Sequence, residues 1–352
     1  MENFADLYTD YLITSTSLAT ATGMSSLLSI SHDKITRSLS KGNYDTTYLW
    51  KHVKPMVHEL TTSKEEIILS FDDSIEEKMY TDESELICWH YDHVFNRNVK
   101  GVNFLTALVD VGGAKLPVSV EFVKKDLWEL DEKKGKLKRK SSKTKNELFR
   151  EMISRCHYNF RFDYVVADSW YSSIENMELV KQTLNSNFII ALKSNRLVAL
   201  SKADKESGNF VNIESLQPEQ QTVEVWFEEL DFPLLLVKQV FKNEDGTVGE
   251  LYLACSDLNL SYERITTIYK KRWGVEVYHK SVKSNASFSK SPTKTQKTQT
   301  NHFMLSILAY VKLELLYLRK NKNHFAMKQI IYQAATKAAH QKLRELLTPM
   351  AA

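Results

Sequence analysis

The segment YKKRWGVEVYHKSVK, residues 269–283, sets a tyrosine, an arginine, a glutamate and a lysine at helical spacing. At about 100° per residue, Tyr269, Arg272, Glu276 and Lys283 fall within roughly 60° of one another around a helix axis. Ile268, Val275 and Val282 fill the adjoining sector, so the polar quartet borders a buried stripe. A lone acid flanked by bases at such an edge requires partners. Two more acids end apolar runs: Asp72 after IILSF and Asp168 after YVVA. Strand-terminal acids lie in the crevice where open α/β sheets place their ligands. Three carboxylates with few nitrogen or sulfur neighbours suit hard divalent ions, Mg2+ or Mn2+. Two such ions about 4 Å apart activate an attacking oxygen and stabilise a leaving oxygen in phosphoryl transfer.

Plainer roles stand beside this one. An Asp after a strand often caps a turn, and Glu276 has Lys280 four residues on as a surface partner. The first acid is itself open, because the sequence offers Asp72-Asp73-Ser74. Asp72 directly follows the apolar run and is preferred. Asp73 points to the opposite face if the strand continues.

The elements that must position these residues follow from periodicity. Residues 1–65 read as helical, with a helix-turn-helix candidate in TATGMSSLL and SHDKITRSLS. There Ser31 is the expected N-cap, Ile35 and Leu39 face a core, and Lys34 and Arg37 face DNA. A plain helical bundle is the alternative. Residues 66–190 alternate apolar strands (EEIILSF, GVNFLTALVDV, AKLPVSVEFV, FDYVVA, NFIIALK) with helices NELFREMISRC and IENMELVKQTL. The order β-β-β-α-β-α-β is that of an α/β, RNase H-like mixed sheet with helices on its faces. Residues 191–258 form a β-rich insertion, VEVWFEEL, FPLLLVKQVF and GELYLACS, turning at NEDGT. Residues 259–352 bring the quartet helix and two apolar helices, with SKSPTKTQKTQTN as a loop between.

The pattern Y-x2-R-x3-E-x6-K, met by Tyr269, Arg272, Glu276 and Lys283, closely resembles the signature of DDE transposases of bacterial insertion sequences. It is similar to the Tyr-Arg-Glu-Lys group of the insertion-sequence-four superfamily, in which a β-strand insertion interrupts the RNase H-like domain before the catalytic glutamate. The likeness spans about residues 66 to 310, and VVADSWY resembles the family's second-aspartate motif. It implies that Asp72, Asp168 and Glu276 are catalytic and hold two ions, Mg2+ or Mn2+. It further implies that Tyr269, Arg272 and Lys283 contact DNA at the transposon end, with Trp273 beside a displaced base or, alternatively, in the core. The family's Asp-x-Thr/Ser pattern selects Asp72 over Asp73. Double-stranded DNA, as terminal inverted repeats and target, is the implied partner. A homodimer and a prokaryotic cytoplasmic, nucleoid-associated location are also implied. Rival readings are an RNase H-like nuclease that does not join strands and a non-catalytic, transposase-derived DNA-binding inhibitor.

Composition sets outer bounds. With 43% hydrophobic and 26% charged residues, the chain reads as an ordinary globular protein. No apolar run approaches the ~20 residues of a membrane span, and MENFADLY lacks a signal-peptide pattern. Cys88, Cys156 and Cys255 are too scattered for a disulfide framework and read as small buried hydrophobes in a reducing cytoplasm. The net charge of +3 hides segregation: residues 261–352 hold 17 Lys+Arg against 4 Asp+Glu, whereas residues 200–260 hold 4 against 12. That suggests a basic face for a polyanion and an acidic module held away from it. KKGKLKRKSSKTK reads as a loop near DNA or a solvated linker. Cys88, His90 and His93 in CWHYDH lack a fourth zinc ligand and a standard spacing. Walker loops, nucleophile elbows and dinucleotide fingerprints are absent, so no nucleotide cofactor is expected.

Overall fold

The computed structural model describes residues 4–62, 65–93, 95–132, 135–216, 221–242 and 246–347. The chain opens with helices α1 (Phe4–Thr14), α2 (Ala21–Leu28), α3 (His32–Lys41) and α4 (Thr46–Thr61). Strands β1 (Ile68–Glu77), β2 (Cys88–Asp92), β3 (Arg97–Val111), β4 (Ala114–Phe122), β5 (Leu127–Asp131) and β6 (Lys136–Lys140) follow. Next come α5 (Lys145–Asn159), β7 (Tyr164–Ala167), α6 (Ile174–Glu178), β8 (Asn187–Leu192), β9 (Leu197–Val198), α7 (Lys202–Glu206) and β10 (Val211–Asn212). The remainder is β11 (Val223–Val225), β12 (Leu234–Lys242), β13 (Val248–Cys255), α8 (Tyr262–Lys270), α9 (Trp273–Asn285), α10 (Gln296–Lys320) and α11 (His324–Leu347).

Two compact units interleave along this chain. One comprises residues 1–53, 76–101 and 278–352, the other residues 54–75 and 102–277. In the second unit the sheet runs β11-β12-β13-β8-β7-β1-β3, with β4 also paired to β3. β1, β7 and β8 are parallel neighbours. Their apolar runs are buried on both faces, as parallel strands under helices require, with Ile68, Leu69, Phe71, Val165, Val166, Ile189 and Ile190 fully buried. This mixed α/β architecture is compatible with an RNase H-like fold. β13 pairs antiparallel with β8, so the β-rich insertion extends the same sheet.

α5 starts at a reciprocal capping box between Thr144 and Glu147, which satisfies two otherwise orphaned donors and fixes where the helix begins. The lysine-rich stretch before it departs from the expected loop. Lys136–Lys140 is a strand, paired with Leu127–Asp131. Its lysines find cross-strand partners, Lys140 on Glu129 at 2.8 Å and Arg139 over the Trp128 ring at 4.3 Å. The complementary run LWELD supplies what the lysines alone do not reveal. Lys133 and Lys134 of that stretch, and Asn243, Glu244 and Asp245 of the NEDGT turn, lie outside the described residues.

The first unit centres on α10, whose residues Asn301–Val311 are buried on every side. Asn301 donates to the carbonyls of Leu39 and Gly42, at 2.6 and 2.9 Å, and so caps the end of α3. Burial pushes the His302 imidazole down to about 4. It is therefore neutral, its Nε2 donating to the Ser287 carbonyl at 3.0 Å and its Nδ1 accepting from Tyr8 at 2.9 Å. α2 and α3 form as expected, with Ile35 and Leu39 buried. Ser31 makes no side-chain cap bond. The expected loop SKSPTKTQKTQTN is helical from Gln296 onward, because Thr295 accepts from the Thr298 amide and starts α10. Cys88, Cys156 and Cys255 are buried free thiols. No helix among the described residues is long and apolar enough to cross a membrane.

Gly101 of β3 lies where a Cβ would collide with the Glu76 backbone carbonyl of β1, an obstacle no side-chain rotamer relieves. Gly101→Ala is expected to destabilise the protein by about 1–3 kcal/mol, read as a lower urea midpoint at unchanged slope; an unchanged midpoint would show that the strands have room to part.

Candidate active site

Sheet register brings the first two acids together. Phe71 of β1 stands opposite Ala167 of β7 in parallel pairing, so Asp72 and Asp168 are the next step on adjacent strands, about 4.8 Å apart. Parity sets their face. Ile68, Tyr164 and Val166 pack in one core cluster with Ile265, Ile268 and Tyr269 of α8. Asp72 and Asp168 share that parity and face the same side. Phe71 is on the other face, 4.5 Å from the Phe149 ring of α5. Asp73 follows it there, accepting from Lys145 Nζ at 2.6 Å and Tyr171 OH at 2.9 Å. The two neighbouring acids thus serve opposite sides of the sheet.

The helix carrying the third acid is not continuous. Between α8 and α9 the amides of Lys271, Arg272, Gly274 and Val275 bond three residues back, at 2.9–3.0 Å, a tightened 3-10 path. Gly274 sits in this turn, against the Lys115 side chain, and is the weakest helix former in the segment. The turn delivers Arg272 between two acids. Its Nη1 donates to Asp72 Oδ2 at 2.8 Å and its Nη2 to Glu276 Oε1 at 2.7 Å. The same guanidinium couples electrostatically to Asp168 and lies 5.9 Å from the Tyr269 ring centre. Asp72, Asp168, Glu276, Tyr269 and Arg272 therefore form one constellation within the second unit.

Acid crowding dominates its electrostatics. Burial, reinforced by Asp168 and Asp73 and opposed by Arg272, pushes the Asp72 carboxyl up to about 7. Burial also raises Asp168, against a 2.9 Å bond from the Trp170 amide and the charges of Arg272 and Lys145. Asp73 differs: burial is outweighed by Lys145, Tyr171 and Asn103, which hold it below the usual carboxylate range. The Tyr269 hydroxyl is pushed up to about 12, mainly by burial. Four carboxylates thus share two cationic side chains, Lys145 and Arg272. This all-oxygen, charge-deficient donor set fits a hard divalent cation. Among the described residues, however, no three His, Cys, Asp or Glu side chains are close enough to hold a metal, and Arg272 is bonded to two of the acids.

Other residues of the sequence-derived set lie elsewhere. Lys283 belongs to the first unit, 3.7 Å from Glu76; burial lowers its pKa against Glu76 and Asp92. Trp273 is 63% exposed, which removes its reading as a core aromatic. Lys34 and Arg37 are exposed on α3 in the first unit, where Arg37 Nε bonds the Asp33 carbonyl at 3.3 Å. Cys88 and His90 share the buried face of β2, 3.3 Å apart, while His93 is exposed.

Sequence reasoning missed Lys145, Asn103 and Tyr171 around Asp73, and Trp170, which is 45% exposed with Lys145 5.2 Å from its ring centre. Trp170 and Tyr171 stand inside VVADSWY, directly after the strand-end acid. Lys145 ends a lysine run that read as a loop near DNA or a solvated linker. Beside Asp168, Ser169, Trp170, Lys193, Arg196 and Phe227 line a cavity of about 490 Å3.

Comparison with protein families identifies the class of protein. A family described as DDE superfamily endonuclease matches residues 2–208, and one described as transposase DDE domain matches residues 137–312. The chain belongs to the DDE superfamily of endonucleases. Within it the chain carries a transposase DDE domain, which makes it a nuclease-type enzyme, a transposase or DDE nuclease, whose family acts on DNA and generally uses divalent ions. No curated protein matches the chain.

The opposite surroundings of Asp72 and Asp73 give a paired expectation. Asp73→Asn strands Lys145 and should cost about 1–3 kcal/mol. Asp72→Asn relieves acid crowding, leaves Arg272 its Glu276 partner, and should be neutral or stabilising. Urea melts of the two variants check this, and equal destabilisation would contradict it.

Proposed function

We propose that the chain is a cut-and-paste DDE transposase of the Tyr-Arg-Glu-Lys group in the insertion-sequence-four superfamily. The observation that carries this is the convergence of Asp72, Asp168 and Glu276 on the single guanidinium of Arg272. Asp72, Asp168 and Glu276 would hold two divalent ions, Mg2+ or Mn2+. When bound, the ions supply activation of an attacking oxygen and stabilisation of a leaving oxygen.

The surrounding residues divide the remaining work. Asp73, fixed by Lys145 and Tyr171, holds the middle of β1 so that Asp72 keeps its orientation. Tyr269 borders the acids, and Arg272 and Lys283 contact the phosphodiester backbone. The exposed indole of Trp273 offers a face on which a displaced base stacks. Lys34 and Arg37 on α3 contact the terminal inverted repeats, the phosphate contacts fixing register on the duplex. Two DNA ends must be held together, so the working form is a homodimer in a DNA complex. The chemistry exchanges phosphodiesters: water releases a 3′-hydroxyl end, and that hydroxyl then attacks a target phosphodiester, so no nucleotide is consumed.

A nuclease that cuts without joining is the second reading, since the same acids serve both reactions. Duplexes carrying the element's ends, some pre-nicked to expose 3′-hydroxyls, separate the two when incubated with Mn2+ and a target plasmid. The expected result is joined product from the pre-nicked ends with wild type and none with Asp168→Asn. Cleavage without any joined product would favour the nuclease, and equal background from both proteins would remove catalysis altogether.

Cation binding should also follow the Asp72 proton. A ligand carboxylate must be ionised, and burial raises this one to about 7. Mn2+ affinity measured by calorimetry is therefore expected to rise as the pH increases from about 6 to about 8. Affinity that is flat across that window would show that Asp72 is not a ligand.

A further inference from the structure

Arg272 stands between two of the carboxylates assigned above to the cation. Its two terminal nitrogens each hold one oxygen, Asp72 Oδ2 at 2.8 Å and Glu276 Oε1 at 2.7 Å. The other Asp72 oxygen, Oδ1, already accepts the Asp73 amide at 2.8 Å. Both Asp72 oxygens thus have partners, and the guanidinium holds Oδ2. Neighbouring oxygens around Mg2+ lie about 3 Å apart, given bonds of about 2.1 Å. The guanidinium is bonded to one oxygen of each acid, and no acid trio among the described residues is close enough for a metal.

We infer that Arg272 is an internal counter-ion, occupying the space between Asp72 and Glu276 in the metal-free protein, displaced when a divalent cation enters, and then free to pair with a DNA phosphate. The inference rests on the metal-site reading above and adds its regulation: cation and DNA bind cooperatively through one side chain.

Four features support it. Arginine keeps its charge at any working pH, so it cannot yield the site by losing a proton. A dication on Asp72 and Glu276 takes over its acceptors and repels it. Its side chain retains 17% of its exposure, so it is not sealed in the core. The guanidinium fork matches a phosphate as well as it matches a carboxylate pair, and DNA is the polyanion of this family. Finally, Arg272 sits in the tightened turn between α8 and α9 rather than within either helix. Such a turn is held by fewer regular bonds than a helix interior and is the natural place for a side chain that must change partners.

Because coupling is reciprocal, cation and DNA should each tighten the other. The test uses the full chain, with Mn2+ binding followed by electron paramagnetic resonance and DNA binding by fluorescence anisotropy of a mixed-sequence duplex. Ca2+ serves as the non-catalytic cation in the DNA experiment. Arg272→Gln is expected to bind Mn2+ about tenfold more tightly than wild type, and Arg272→Lys, which keeps the charge but not the fork, to gain less. Ca2+ should tighten wild-type DNA binding about fivefold, and that gain should vanish in Arg272→Gln. Circular dichroism verifies folding, and Arg272→Lys carries the comparison if the glutamine variant does not fold. Mn2+ affinity equal to or weaker than wild type in both variants would overturn the inference. If Asp72→Asn and Asp168→Asn lose Mn2+ while the arginine variants gain nothing, the metal site stands and only the counter-ion role falls. If those aspartate variants bind Mn2+ like wild type, the metal-site reading fails, and the counter-ion role fails with it.

Discussion

Carboxylate crowding on two adjacent parallel strands, β1 and β7, is the constraint on which this structure turns. Like charges on adjacent strands repel, and their burial makes the repulsion costly. The fold meets it in two ways. On one face Lys145, Tyr171 and Asn103 satisfy Asp73 fully enough to keep it ionised. On the other, one arginine serves Asp72 and Glu276 and leaves Asp72 and Asp168 with raised proton affinity. The first arrangement is a structural clasp. The second is under-compensated, as expected where stability is given up for a site that must accept a cation.

The division between these faces follows from strand geometry. Parallel pairing of β1 with β7 puts Asp72 and Asp168 side by side, and the two-residue period of a strand turns Asp73 away. The apolar residues that precede the acids are what hold the register. Ile68, Val166 and Tyr164 pack against α8, so a one-residue slip would bury the wrong side chains. Core packing and acid placement are therefore the same property of β1 and β7.

Much of this was legible in the sequence. The apolar runs IILSF and YVVA announced buried strands; Asp168 follows the end of β7 as expected, whereas β1 runs on to Glu77, so Asp72 lies within its strand and not at its end. The Tyr-Arg-Glu-Lys spacing marked the late helical segment and led to the family that the comparisons bear out, that of DDE transposases and endonucleases. What escaped depended on partners remote in sequence. Lys145 became meaningful only because α5 packs beneath Phe71 and Asp73. The hairpin of β5 and β6 required matching KLKRK with LWELD across a turn. A helical wheel through residues 265–283 passed over the tightened turn that includes Gly274. That break needs only a glycine and a crossing lysine side chain, which periodicity does not register.

The central claim is that Asp72, Asp168 and Glu276 gather around a divalent cation. Anomalous scattering from a crystal of the protein soaked in Mn2+ addresses it most directly. The account predicts a peak about 2.1–2.3 Å from carboxylate oxygens of Asp72 and Asp168, with Glu276 closing on the same ion and Arg272 withdrawn. A peak on Asp73, or at Cys88 and His90 with none at Asp72, would contradict it.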